Sequence, residues 1–238
     1  MAVDATAVLA YLEQVRERTG EHVTLTHVVG AALGRAIRTV PEVRARVLLG
    51  RILPFDSCDI AFAVDIDGGT DLAPIKVHDV DRKSPLEVAR ELSFGAARAR
   101  AGLDPHHSRS AWYVRYAPPL TMRPLLSAAG VLVGGLGVGA FGQPGFPLGA
   151  AFVSNVGSLG LDEGYLAPVP FARVPLYVSI GAVRDEALVV DGEVVVRPQV
   201  VIGATADHRL VDGAHAGRIA GVIRELLADP DRLDNMSL

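Results

Sequence analysis

"TADHRLVDGAHAGRIAG" (residues 205–221) sets a histidine between an acid and a base, then an Asp-Gly pair, then a run of small residues at helical spacing. Before it stands "VVIGATA" (200–206), an apolar run that reads as a strand. His208 therefore falls just past a strand end. Asp212 opens the helix that follows, where its carboxylate can cap exposed N–H groups and pair with a nearby cation. Histidine can accept and return a proton near neutrality. Held in one rotamer at such a corner, it can act as general base toward a thiol or hydroxyl. Alone, the arrangement reads more readily as a structural strand-to-helix turn than as a catalytic corner.

A second piece lies upstream in "FVSNVGSLG" (152–160), which ends another apolar strand with Ser154, Asn155 and then Gly157. A hydroxyl fixed at a strand end beside glycine can donate a hydrogen bond to a developing oxyanion. In isolation it too reads as an ordinary Ser-Asn turn.

The rest of the chain supplies the frame. Asp4 is placed to cap a helix with Val8, Leu9, Leu12 and Val15 on one face, ending near Gly20. A second helix starts near Thr26, turns Val29, Ala32, Leu33, Ala36 and Ile37 inward, and stops before Pro41. "IAFAVDI" (60–66) and "LAPIKV" (72–77) flank "DGGT" as a hairpin. Ser84, Pro85 and Glu87 form the clearest helix start in the chain, with a capping box and proline at the first helical position. "LYVSIGAV" (176–183) reads as a strand, and "ALVVDGEVVV" (187–196) as two strands around an Asp-Gly turn. The last helix carries Ala216, Ile219, Ala220, Ile223 and Leu227 inward and ends near Asp229-Pro230. Helices first and strands later predict an α+β fold: a two-layer sandwich of a mixed or antiparallel sheet with helices on one face.

Composition narrows the function classes. The chain has 238 residues, half of them apolar and 21% charged, enough to bury one sizeable core. A net charge of −4, with acids and bases interspersed, gives no basic footprint for nucleic acid. A lone cysteine, Cys58, excludes an internal disulfide, carries no metal-ligand spacing around it, and points to a reducing cytoplasm. The start, "MAVDATAVLA", lacks a secretory signal pattern. No metal site is expected: the adjacent His106 and His107 sit in "LDPHHSRS", with no third ligand. His27 and His215 read as packing or surface residues. "GGLGVG" follows no strand and carries no lysine, so it is not a phosphate loop.

One region departs from this pattern. No charged residue occurs from Pro124 to Leu161, and "LLSAAGVLVGGLGVGAFG" is almost wholly apolar or glycine. Its length touches the lower limit for a membrane span, and Trp112, Tyr113 and Tyr116 precede it as interface anchors would. Its glycines are costly in a soluble helix, but the Gly130/Gly134 and Gly135/Gly139 pairs suit close helix contact. A buried segment within an oligomer is the favoured reading, and a membrane-touching hairpin the alternative.

Together the pieces resemble a known family. "DHRLVDG" is similar to the catalytic signature of the dihydrolipoyl acyltransferase cores of 2-oxoacid dehydrogenase complexes, which share a fold with chloramphenicol acetyltransferase. "FVSNVG" resembles that family's serine segment, about fifty residues before the histidine. "IAFAVDIDGGTDLAPIKVHDVDRKSPLEVARE" and "VTLTHVVGAALGRAIRTVPEV" are similar to its hairpin-and-helix segment and its early helix. The resemblance covers residues 1 to about 103 and 149 to 238.

The resemblance implies His208 as the base that deprotonates a thiol of coenzyme A or a dihydrolipoyl group, and Ser154 as the oxyanion donor. It implies Asp212 as a holder of the loop rather than a proton carrier. It also implies a homotrimer or larger cage, with histidine and serine donated by neighbouring copies. Three departures stand against it. No lipoyl domain, subunit-binding domain or Ala/Pro-rich linker precedes this single catalytic domain, so a lipoyl group is expected on a separate protein. The family's basic N-terminal arm is missing. Residues 104–148 replace a short loop by the apolar insert, which could line the acyl pocket, cover the channel or make a subunit contact. A non-catalytic assembly protein and an O-acyltransferase with a hydroxyl acceptor are the other readings.

Overall fold

The computed structural model describes residues 1–66, 72–103, 118–140 and 143–235. Its centre is a mixed sheet of seven strands. β1 (Ala2–Asp4), β4 (Ile60–Asp65), β5 (Leu72–Val77), β6 (Ala151–Asn155), β7 (Leu176–Ile180) and β9 (Glu193–Ala206) lie in the order β1-β9-β7-β6-β4-β5. β4, β6 and β7 run parallel, whereas β5 and β9 run against them. β8 (Arg184–Val190) pairs with the first half of β9 as β7 pairs with its second half. A separate hairpin joins β2 (Ala45–Leu48) to β3 (Arg51–Pro54).

Helices α1 (Thr6–Thr19), α2 (Leu25–Thr39), α3 (Pro85–Arg100) and α5 (Gly213–Ala228) pack on one face, giving the expected two-layer sandwich. Strand alternation explains how. Ala151 and Val153 of β6, Leu176, Val178 and Ile180 of β7, and Val200 and Ile202 of β9 join the helix-side core. Ala61 and Tyr177 point the other way, into a smaller core with Leu148, Ala172 and Val174. The loops before β6 and before β7 thus cover the face that the helices leave open.

Several elements follow their sequence signals closely. Ser84 accepts from the Glu87 amide and Glu87 reaches back to the Ser84 amide, as the capping box requires. Asp191 and Gly192 both have positive φ, 52° and 87°, as a tight hairpin turn needs. Others differ. The N-terminus is not yet helical: Ala2–Asp4 pairs with Gln199–Val201, and Asp4 accepts from the Thr6 amide at 2.8 Å in a turn before α1. Leu9 is exposed and Tyr11 takes its place inside. The two runs read as separate strands at 193–196 and 200–206 are one strand, β9. Pro198 interrupts the pattern but not the strand, because its carbonyl faces the outer edge and accepts from the Ala5 amide at 2.8 Å.

The apolar insert is broken by its glycines. α4 (Pro119–Ala129) passes into a wide π-turn over Gly130–Gly135, and Gly137 then takes φ 71°. Among the described residues no helix is long and apolar enough to cross a membrane. Gly130, Val133, Gly134 and Gly135 are buried, with Phe171 and Leu48 of the same chain beside the glycines. His106, His107, Trp112, Tyr113 and Tyr116 lie outside the described residues.

Candidate active site

β9 delivers His208. Its last residue, Ala206, pairs with Leu176, and the Asp207 amide extends the ladder by donating to the Pro175 carbonyl at 2.9 Å. The chain then turns sharply: the Leu210 and Val211 amides both donate to the Asp207 carbonyl. Arg209 folds back on Asp207 with Nε at 2.9 and 3.1 Å and Nη2 at 2.6 Å, a bidentate pair that holds the Asp207 carboxyl below the usual carboxylate range. Leu210 and Val211 anchor the turn by burying their side chains. The imidazole is left exposed, on a corner braced from both sides.

Asp212 closes the corner as the helix cap. Its Oδ1 accepts from the His215 amide at 2.9 Å, and the His215 ring returns the contact by accepting from the Asp212 amide at 3.3 Å. The amide hydrogen bond from His215, with the imidazole nearby, lowers the Asp212 pKa. His215 is thus the third residue of a capping box, a role sequence reading missed. His27 does the same for α2, accepting from the Thr24 amide at 3.0 Å. Both could have been found as Thr-x-x-His and Asp-x-x-His at helix starts.

A cavity of about 360 Å³ opens beside His208. Val47, Val169, Pro170, Arg173, Tyr177 and Arg209 form part of its wall. The wall is held by the insert. Arg173 Nε donates to the Gly130 carbonyl and its Nη1 to the Val47 carbonyl, both at 2.6 Å. Arg46 Nε donates to the Gly135 carbonyl at 2.7 Å. Sequence reading missed Arg173 altogether; a lone arginine in "FARVP" gives no periodic or spacing signal.

Ser154 comes from β6. Gly149, at φ 69°, lets the chain enter the strand, and a Cβ there would stand 2.3 Å from the Asp59 carbonyl. That close approach sets β6 alongside β4 and brings Ser154 level with Ser179 of β7 and Gly203 of β9. Ser154 is buried on the face away from the helices. Ser179 spends its hydroxyl on the Gly164 carbonyl, whereas no described residue takes that of Ser154. Asn155 turns to the helix layer and donates to Thr26 Oγ1 at 2.9 Å.

The register separates the two candidate groups within one chain. Ala206 lies two strands across and three residues along from Ser154, about 14 Å at usual strand spacings of about 4.8 Å and 3.4 Å per residue. His208 lies two residues beyond Ala206, in the turn that follows the strand. Among the described residues, no cluster of side chains could hold a metal ion.

The sequence model of the 2-oxoacid dehydrogenases acyltransferase (catalytic domain) family matches residues 1–108 and 147–234. The chain belongs to this family. The dihydrolipoyllysine-residue acetyltransferase component of the pyruvate dehydrogenase complex of Bacillus subtilis is 25% identical over 96% of this acyltransferase-family chain. The chain spans 43% of that relative's length. Solved structures show the fold. The dihydrolipoamide acetyltransferase of Azotobacter vinelandii superposes with a TM-score of 0.70 at 20% identity, covering 99% of this chain and 82% of that one. The cubic core of a pyruvate dehydrogenase multienzyme complex gives 0.69 at 18% identity, with 99% and 82% covered.

Proposed function

We propose that the protein transfers an acyl group between coenzyme A and a thiol acceptor, a dihydrolipoyl group, at a site shared between copies of the chain. His208 takes the thiol proton. The resulting thiolate attacks the carbonyl carbon of the acyl thioester, and the Ser154 hydroxyl donates to the oxyanion so formed. Collapse of the tetrahedral adduct breaks the other carbon–sulfur bond, and the departing thiolate recovers the proton from the His208 imidazolium. Both substrates are thiols or their esters, so one base serves both directions. Asp212 and the Asp207–Arg209 pair hold the corner and exchange no proton.

One observation carries this reading: an exposed imidazole on a fixed corner and an uncommitted serine hydroxyl on the sheet occur in one fold yet stand too far apart to meet within a chain. A second copy resolves the separation. Crystallographic and enzymatic work on the Azotobacter acetyltransferase concerns the role of a serine, a histidine and an asparagine in its catalytic mechanism, the last two four positions apart, as His208 and Asp212 are here. The cubic core supports a homotrimer or larger shell. So does the β8–β9 hairpin, whose facing Val189 and Val194, with Val196 beside them, are each more than 70% exposed.

Thioester exchange between acyl-coenzyme A and dihydrolipoamide tests the proposal. His208→Ala should abolish exchange in a particle of unchanged size. Particles that never exchange, whatever acyl-coenzyme A is offered, would favour a purely architectural role, and transfer to hydroxyl acceptors alone would favour O-acylation.

A further inference from the structure

The helix layer holds a cavity of about 510 Å³ lined by Arg35, Arg38, Arg44, Arg82 and Asp81. Packing rather than charge assembles it. Gly34 lets α2 run directly against the 3-10 turn Val80–Arg82, where a Cβ would stand 2.8 Å from the Asp81 amide nitrogen. The approach leaves the neighbouring Arg35 only 3% exposed. Its Nη1 donates to the Asp81 backbone carbonyl, while Nε and Nη2 have no hydrogen-bond partner.

Buried guanidinium donors left open are costly, since each has surrendered water without replacement. Burial and the Arg38 charge both lower the Arg35 pKa, with Asp81 and Glu87 acting against them. Even with Arg38 set aside, three arginines, Arg35, Arg44 and Arg82, share the cavity wall with one acidic residue, Asp81. A monoanion would leave part of that charge uncompensated. A phosphate dianion balances it and supplies several acceptor oxygens, and the guanidinium fork matches its geometry.

We propose that this cavity binds a phosphate group, with Arg35 supplying positive charge from the buried wall and Arg44 and Arg82 closing on it from the rim. The site is distinct from the one at His208. The turn Val80–Arg82 follows the end of β5, four strands from the end of β9, or about 19 Å across the sheet. It does not rest on the acyl-transfer reading. The phosphate could be free in solution or carried by a larger molecule, such as the nucleotide end of coenzyme A.

Calorimetric titration of the full chain at low salt with inorganic phosphate and with adenosine 3′,5′-bisphosphate tests the site. Saturable binding at one site per chain is expected. Arg44→Ser and Arg82→Ser should each weaken it at least tenfold with the circular dichroism unchanged. Arg44→Lys and Arg82→Lys, which keep charge but lose the fork, form a milder second set should the serine variants fail to fold. Bisphosphate binding more tightly than phosphate and displaced by coenzyme A would identify the nucleotide end; equal affinities would identify free phosphate. Absence of saturable binding to both, or affinities unmoved in folded variants, would overturn the site. Neither readout involves acyl transfer, so the two proposals fail separately.

Discussion

Ser154 sits level with Gly203 on β9, and His208 lies five positions further along that strand and its turn, so one chain holds the two groups apart. This separation makes complementation the sharpest test of a shared site. His208→Ala and Ser154→Ala chains should each be impaired alone, the first fully and the second about 100- to 1,000-fold, the usual loss for one oxyanion donor. Co-expressed and randomly mixed, they should recover activity at about one site in four, where an intact histidine meets an intact serine from a neighbour. No recovery in mixed particles of normal size would rule out donation by different copies.

What the residues disclosed depended on whether a signal was local. Ser84-Pro85-Glu87, Asp191-Gly192 and the corner at Asp212 are local chemistry, and each was readable directly. Strand pairing is not local. Nothing in "AVD" shows that residues 2–4 add an edge to β9, and the β2–β3 hairpin carries too short an alternation to announce itself. The site divided the same way. His208, Ser154 and Asp212 follow from motif and resemblance, whereas Arg173 and the hold of the insert on the cavity wall emerge only when distant segments pack.

His27 gives a pH test of the fold. Burial, with a smaller effect from His22, pushes its pKa down from 6.5 to about 4, and its ring must stay neutral to accept the Thr24 amide. Between those values the unfolded chain binds a proton that the folded chain refuses. Stability should therefore fall as pH drops from about 6.5 toward 4, by about 1.4 kcal/mol per pH unit from this group. His27→Gln keeps a capping-box acceptor that does not titrate. Urea unfolding at pH 7 and pH 5 should show a smaller loss in the variant; equal losses would mean that His27 is not neutral in the folded protein.

Asp212 separates capping from charge. Its depressed pKa means that the charged cap contributes above the ordinary carboxylate range and is lost as pH falls through the lowered folded value. Asp212→Asn retains a side-chain acceptor for the His215 amide and should keep most of both stability and exchange activity at neutral pH. Asp212→Ala leaves that amide without its cap and should lower Tm and activity together. A large loss of exchange in Asp212→Asn at unchanged Tm would show that the carboxylate charge itself takes part in the reaction.

Gly134 tests whether the insert shapes the substrate cavity. A Cβ there would lie 2.0 Å from the Phe171 carbonyl and 3.1 Å from the Ala172 carbonyl carbon, both backbone atoms, so the segment must move. Val169, Pro170 and Arg173 of that segment wall the cavity beside His208. Gly134→Ala should therefore cost about 1–3 kcal/mol of stability, as overpacking does. It should also raise KM for the acyl thioester several-fold, because the cavity wall shifts while the His208 corner, built from β9, does not. Gly139→Ala is the control, since its Cβ would meet only ordinary contact, 3.5 Å from the Gln143 carbonyl. Steady-state kinetics and thermal unfolding of the pair decide the point: an unchanged KM in a destabilised Gly134→Ala would make the insert a support for the fold with no hand in substrate binding.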